Sequence, residues 1–250
     1  MKQKTTLYKL VKWTFYVSVI MAAVGFWFRD DFPAPNERII DPQVTKEPLQ
    51  KKVNKESFKL MRSGVVYEVS PLYEYELNGL VVSLNHHDGK FGLHKRAEDH
   101  INVADLCVVW GVNAKQVDLN KFDFWNGEFT CNYLTKDSLQ AGLFKDNQLS
   151  NNHVVAVDEL IRDQIADVKV GDQIYLKGWL SEYSNHLGKR GTSITRDDTG
   201  NGACETIYIK DFKVLNSMKT SWRTMYSLGL IGALFSSLIW VWGVGSGRFK

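Results

Sequence analysis

The stretch Val170–Tyr183, VGDQIYLKGWLSEY, decides how this chain folds. Ile174, Leu176 and Leu180 share one face of an extended segment, and Gly178 interrupts it where a barrel strand often bends sharply. Just upstream, Leu160, Ile161, Ile165 and Val168 recur at helical spacing, with acids in the first turn, which predicts one helix over Asp158–Asp167. Downstream, Ile207 and Ile209 share a face but Phe212 and Val214 fall out of phase. A one-residue bulge near Lys210-Asp211 would bring all four to one side.

Other strands follow the same logic. Tyr73, Tyr75 and Leu77 alternate with Glu74 and Glu76, and Asp105–Gly111 is a short apolar run of the kind found in a central strand. Asn126-Gly127 reads as a hairpin turn between Phe122 and Phe124 on one side and Phe129, Cys131 and Tyr133 on the other. Asn78-Gly79, Asp88-Gly89 and Asn201-Gly202 repeat the signal. The expected fold is mainly β: a small bent antiparallel barrel of the oligonucleotide/oligosaccharide-binding (OB-like) type with one inserted helix, a β-sandwich being the alternative.

Two apolar segments flank this domain. Residues 13–28 carry no charge, and Leu10 and Val11 extend the run past Lys12, whose stem can snorkel. Ala23-Val24-Gly25 allows a cleaved signal peptide as the rival, which the bulky Phe26-Trp27-Phe28 disfavours. Residues 224–245 lie within an uncharged run with Trp222, Trp240 and Trp242 at interfacial positions. Gly229, Ala233 and Ser236 form a small-residue stripe that would admit a close helix neighbour: the first span, a second copy or another protein. Lys2, Lys4, Lys9 and Lys12 before the first span, and Arg248 and Lys250 after the second, place residues 1–12 and 246–250 in the cytoplasm. Between the spans, residues 29–57 hold four of the five prolines and read as a spacer, leaving 58–218 as an extracytoplasmic domain.

The net charge of +3 divides unevenly. Six of the 31 Lys and Arg lie in the terminal segments, leaving 25 against 28 Asp and Glu between them. A net negative domain lacks the positive field that nucleic-acid binding uses.

The stretches VADLCVVWG (103–111), LSNNHVVA (149–156), VGDQIYLKGWLSEY and RGTSITRDDTGNGACETIYI (190–209) resemble an uncharacterised family of membrane-anchored bacterial proteins with an OB-like β domain. The resemblance spans roughly residues 65 to 215. It implies a bacterial inner-membrane location with the domain in the periplasm, and carries no established activity.

Candidate sites come with plain alternatives. Four of the six histidines fall in Asn85–His100. His86, His87, His94, Asp99 and His100 are candidate zinc ligands, although adjacent His86 and His87 would point to opposite faces of a strand, and solvated loop histidines are the default. Asp197, Thr199, Asn201 and Gly202 imitate the start of a calcium loop, but Tyr208 stands where the bidentate Glu belongs. With three cysteines one thiol is unpaired within the chain. Cys131–Cys204 is the disulfide expected from the hairpin strands, with Cys107 a buried small hydrophobe. A catalytic cysteine would need His153 or His186 as its base, and nothing in the sequence brings one near. Tyr73, Tyr75, Trp125, Tyr175 and Trp179 could line a ligand-binding face.

The expected function is therefore a non-enzymatic two-span protein, without cofactor, presenting its domain to other envelope proteins or to a second copy. A glycan- or small-molecule-binding domain is the alternative, and a metal-dependent enzyme the third.

Overall fold

The computed structural model describes residues 2–87, 92–127, 129–196 and 204–249. Asp88-Gly89 and the calcium-like loop with Asn201-Gly202 lie outside them. The chain divides into two compact units, residues 1–31 with 219–250, and residues 32–218.

The first unit is a pair of helices, α1 (Lys2–Trp27) and α6 (Ser221–Gly245). Both are long and apolar enough to cross a membrane, Thr6–Trp27 with mean hydropathy 1.5 and Ser221–Gly245 with 1.8. The stripe in α6 meets α1. A Cβ on Gly229 would lie 2.4 Å from Ala22 N and 2.7 Å from Ser18 O, so only glycine lets the backbones approach this closely. Gly229 and Ser236 are buried and Ala233 is half-buried. Thr220 caps α6 by accepting from Arg223 N, and the Arg223 side chain donates to Arg29 O (2.8 Å) and pairs with Asp30 (3.3 Å).

The second unit is mainly β. In chain order it comprises β1 (Leu49–Lys52), β2 (Phe58–Arg62), β3 (Val65–His86), α2 (Gly92–Arg96), β4 (Asn102–Val109), α3 (Gly111–Lys115), β5 (Phe122–Gly127), β6 (Thr130–Thr135), α4 (Ser138–Leu143), β7 (Leu149–Val155), α5 (Glu159–Ala166), β8 (Gln173–Asn185), β9 (Gly188–Arg190) and β10 (Cys204–Asn216). Five strands close a ring: β3 pairs with β4, β4 with β7, β7 with β10, β10 with β8, and β8 with β3. Strands β1 and β2 add to β3, β9 adds to β8, and β5 and β6 form a separate hairpin. The all-antiparallel expectation needs correction at one pair, because β7 and β10 run parallel. Strand β8 is already bonded to β3, so β10 closes the ring on the far side of β8 and runs alongside β7 in the same direction.

The ring interior is filled by Leu106, Val108, Val154, Ile174, Leu176, Leu180, Ile207 and Phe212, each 0–1 % exposed. Full burial of one such side chain contributes about 2 kcal/mol. At Gly178, β8 crosses β10 so closely that a Cβ would lie 2.1 Å from Tyr208 O, which is the physical content of the bend expected there. The bulge in β10 falls between Ile209 and Asp211 as the phase shift requires. It turns Phe212 inward with Ile207 and Ile209, while Val214 is 39 % exposed near the strand end. Asp158 caps α5, its side chain accepting from Leu160 N and Ile161 N, and Ile165 is buried beneath.

Three local expectations change. Asn78-Gly79 is not a turn but lies within β3, where a Cβ on Gly79 would come 2.2 Å from Val108 Cγ1; close strand approach, not chain reversal, demands that glycine. Asn126-Gly127 ends β5, and Gly127 pairs with Thr130, so the reversal occurs one step later, with Phe129 at φ 63°. The segment 32–57, read as a spacer, belongs to the folded unit. Val44 is fully buried, Arg38 donates to Ala114 O (2.8 Å), Asp41 N donates to Gln173 (2.7 Å), and β1 pairs with β3. Its prolines suppress regular structure without preventing packing.

Candidate active site

Strands β4, β7 and β10 lie side by side, and their alternation divides the side chains cleanly. Leu106, Val154 and Ile207 point into the ring. Their neighbours point outward. Asp105 stands opposite His153 in the β4–β7 register, and His153 stands opposite Thr206 in the β7–β10 register. Cys204 lies two residues before Thr206 and so shares this outer face. The hairpin β5–β6 and helix α2 cover the face, which is why polar groups here are buried: Asp105 is 1 % and His153 9 % exposed.

Contacts within the group form a line. His153 Nδ1 lies 2.6 Å from Asp105 Oδ1, the N–H donating to the carboxylate. The imidazole also interacts electrostatically with Cys204, which lies on the same outer face. The Cys204 thiol donates to Phe129 O at 3.3 Å, and Asn151 Nδ2 donates to the same carbonyl at 2.9 Å and approaches the sulfur at 3.5 Å. Burial alone would make His153 less basic, but the hydrogen bond and charge of Asp105, with the electrostatic influence of Cys204, outweigh it and raise its pKa to about 9. Burial pushes the Asp105 carboxyl upward, yet His153 and the neighbouring His87 hold it well below the usual carboxylate range. A nucleophile, a base and a carboxylate that orients the base thus lie in sequence across three strands.

The thiol and imidazole open into a pocket of about 440 Å3 lined also by Asn102, Phe129, Tyr183, Arg190 and Thr206. The Arg190 guanidinium lies over the Phe129 ring, 3.9 Å from its centroid.

Beside this line sits a group that could hold a metal. Ligand atoms of His87, His94 and Asp105 all lie within 4.8 Å of one another. His87 Nε2 approaches Asp105 Oδ2 at 3.0 Å without the alignment of a hydrogen bond, and the His87 and His94 rings stack at 3.9 Å. His94 Nδ1 lies 3.2 Å from Asp99 Oδ2, and Tyr183 Oη donates to the same oxygen at 2.7 Å. Of the five histidine-stretch candidates, His87 and His94 converge and Asp99 orients His94. His86 turns away to Val168 O (3.1 Å), opposite to its neighbour as strand alternation requires. The His100 backbone N–H donates to Tyr67 Oη, and the residue stays outside the cluster.

Two further expectations are corrected. The disulfide joins Cys107 to Cys131, with Cα atoms 5.5 Å apart, and leaves Cys204 free. Cys107 shares the outer face with Asp105, directly under the hairpin that carries Cys131, whereas Cys204 stands across Asn151 from Cys107. The aromatic face does not assemble. Tyr75 is fully buried in the ring core, Trp125 is 48 % exposed on the hairpin, and Trp179 stacks on Tyr208 with Lys55 and Lys210 over its ring.

The sequence reading missed Asp105 altogether and set the Cys204–His153 pairing aside. The available signal was period-2 phase: Asp105, His153 and Cys204 each sit out of phase with the inward apolar residues Leu106, Val154 and Ile207 of their strands. Comparison with family models, curated proteins and solved structures finds nothing that matches this chain.

Proposed function

We propose that this protein is a membrane-tethered enzyme of thiol-dependent acyl transfer, with Cys204 as nucleophile, His153 as general acid and base, and Asp105 as the residue that orients His153. The Cys204–His153–Asp105 line at the edge of a pocket is the observation that carries this reading. In the first half-reaction the Cys204 sulfur attacks the carbonyl carbon of an ester, thioester or amide. Its proton passes through His153 to the leaving group, which departs as alcohol, thiol or amine and leaves a thioester on Cys204. In the second half-reaction water or an amine attacks the thioester, gives its proton to His153, and restores the thiol.

The location belongs to the same proposal: a bacterial inner membrane, both ends cytoplasmic, the domain periplasmic. Lys-rich flanks support the topology and the Cys107–Cys131 disulfide supports an oxidising compartment. The finer likeness to an OB-like barrel is supported by the closed five-stranded ring with a helix between its third and fourth strands. Contacts with other envelope proteins or a second copy fit the tethering, but the side-chain line favours chemistry over presentation alone.

The test is p-nitrophenyl acetate applied to the full-length protein in mild detergent. The expected result is acetylation of Cys204, seen by mass spectrometry, and p-nitrophenol release that falls by about 100-fold or more in Cys204→Ala and His153→Ala. Equal release by all three proteins would sink the proposal. A metal-dependent reading stands second, favoured by the convergence of His87, His94 and Asp105. Stoichiometric zinc in the purified protein, lost in His94→Ala, would move it to first place.

A further inference from the structure

Arg190 is the feature that the acyl-transfer proposal does not use. It ends β9 beside the pocket that holds Cys204 and His153, half-buried, with its guanidinium carbon over the Phe129 ring. The ring contact holds the guanidinium in place and leaves its N–H groups free to donate. Among the described residues the guanidinium has no hydrogen-bond or ion-pair partner. Asp99, which feels the charge of Arg190, is hydrogen-bonded instead by Tyr183 and His94 and makes no direct ion pair with it. Among the described residues no carboxylate lines the pocket, and the other polar lining groups are amide, hydroxyl, thiol and imidazole.

We propose that Arg190 binds a carboxylate of the acyl substrate, holding it against the Phe129 platform with the scissile carbonyl beside Cys204. A half-buried cation with no hydrogen-bonded or ion-paired anion among the described residues is costly unless a ligand supplies one. One guanidinium among hydroxyls matches a monoanionic carboxylate, whereas a phosphate dianion calls for a cluster of cations. This rests on the proposed role of Cys204 as nucleophile and adds the substrate class: an acyl donor bearing a free carboxylate close to the bond that breaks.

Cys204 is the single free thiol, so alkylation reads its surroundings directly. The experiment compares iodoacetate with iodoacetamide on the full-length protein in mild detergent at one pH, each rate divided by that of N-acetylcysteine. The expected result is an iodoacetate-to-iodoacetamide ratio about tenfold above that of N-acetylcysteine, falling to near that value in Arg190→Gln and recovering in part in Arg190→Lys. A wild-type ratio equal to that of N-acetylcysteine overturns the proposal. So does an Arg190→Gln protein in which both reagents slow by the same factor, since Arg190 would then act on the thiol itself. The nucleophile reading fails separately, and visibly, if His153→Ala leaves the iodoacetamide rate unchanged.

Discussion

His153 stands directly across from Asp105 in the β4–β7 pair, with Nδ1 2.6 Å from Oδ1, and Asp105 reaches His87 with its other oxygen at 3.0 Å. One buried carboxylate thus organises two imidazoles.

Asp105→Asn keeps the shape and removes the charge. The protonated His153 then loses its counter-ion in a largely buried site, and we expect a destabilisation of about 3 kcal/mol together with a roughly tenfold slower reaction of Cys204 with iodoacetamide. Thermal unfolding of the detergent-solubilised protein and the alkylation rate check the two halves. An unchanged midpoint would mean that Asp105 is not holding either ring.

The raised pKa of His153 links stability to pH. Its folded-state pKa of about 9 lies above the usual 6.5, so the protonated ring stabilises the fold fully below about pH 6.5, and that contribution is lost as pH rises through 9. The loss is on the order of 3 kcal/mol. Unfolding midpoints measured from pH 6 to pH 10 should fall across this window, and His153→Gln should flatten the fall. A flat profile in the unmodified protein would contradict the assignment.

The disulfide is open to direct mapping. Non-reducing digestion should yield a Cys107–Cys131 linked peptide and an alkylatable Cys204. With the paired cysteines 24 positions apart, replacing Cys131 by Ser should cost about 3 kcal/mol. A Cys131–Cys204 peptide would remove the nucleophile and with it the proposed chemistry.

Helix packing gives a prediction independent of the site. Gly229→Leu introduces a side chain where a Cβ already meets Ala22 N at 2.4 Å. The α1–α6 pair must separate to admit it. Cysteines introduced at Ser18 and Gly232, which touch in the native pair, should cross-link efficiently in membranes of the parent protein and poorly with Gly229→Leu present.

Most of the fold could be read from the chain because its causes are local. Alternation in Val170–Tyr183, the phase shift that placed a bulge between Ile209 and Asp211, the Asp158 cap and the two long apolar helices each depend on residues a few positions apart. The same local reasoning misassigned Asn78-Gly79, where a neighbouring strand rather than a turn requires the glycine. The site is of another kind. Asp105, His153 and Cys204 lie on three strands whose adjacency follows from β10 closing the ring in parallel beside β7, and that order is set by long-range pairing and core burial. Sequence by itself determined that each residue sits out of phase with the apolar positions of its strand. Only the tertiary structure decided that the three share one face, that a hairpin buries them, and that Cys131 turns to Cys107 and leaves the Cys204 thiol to His153.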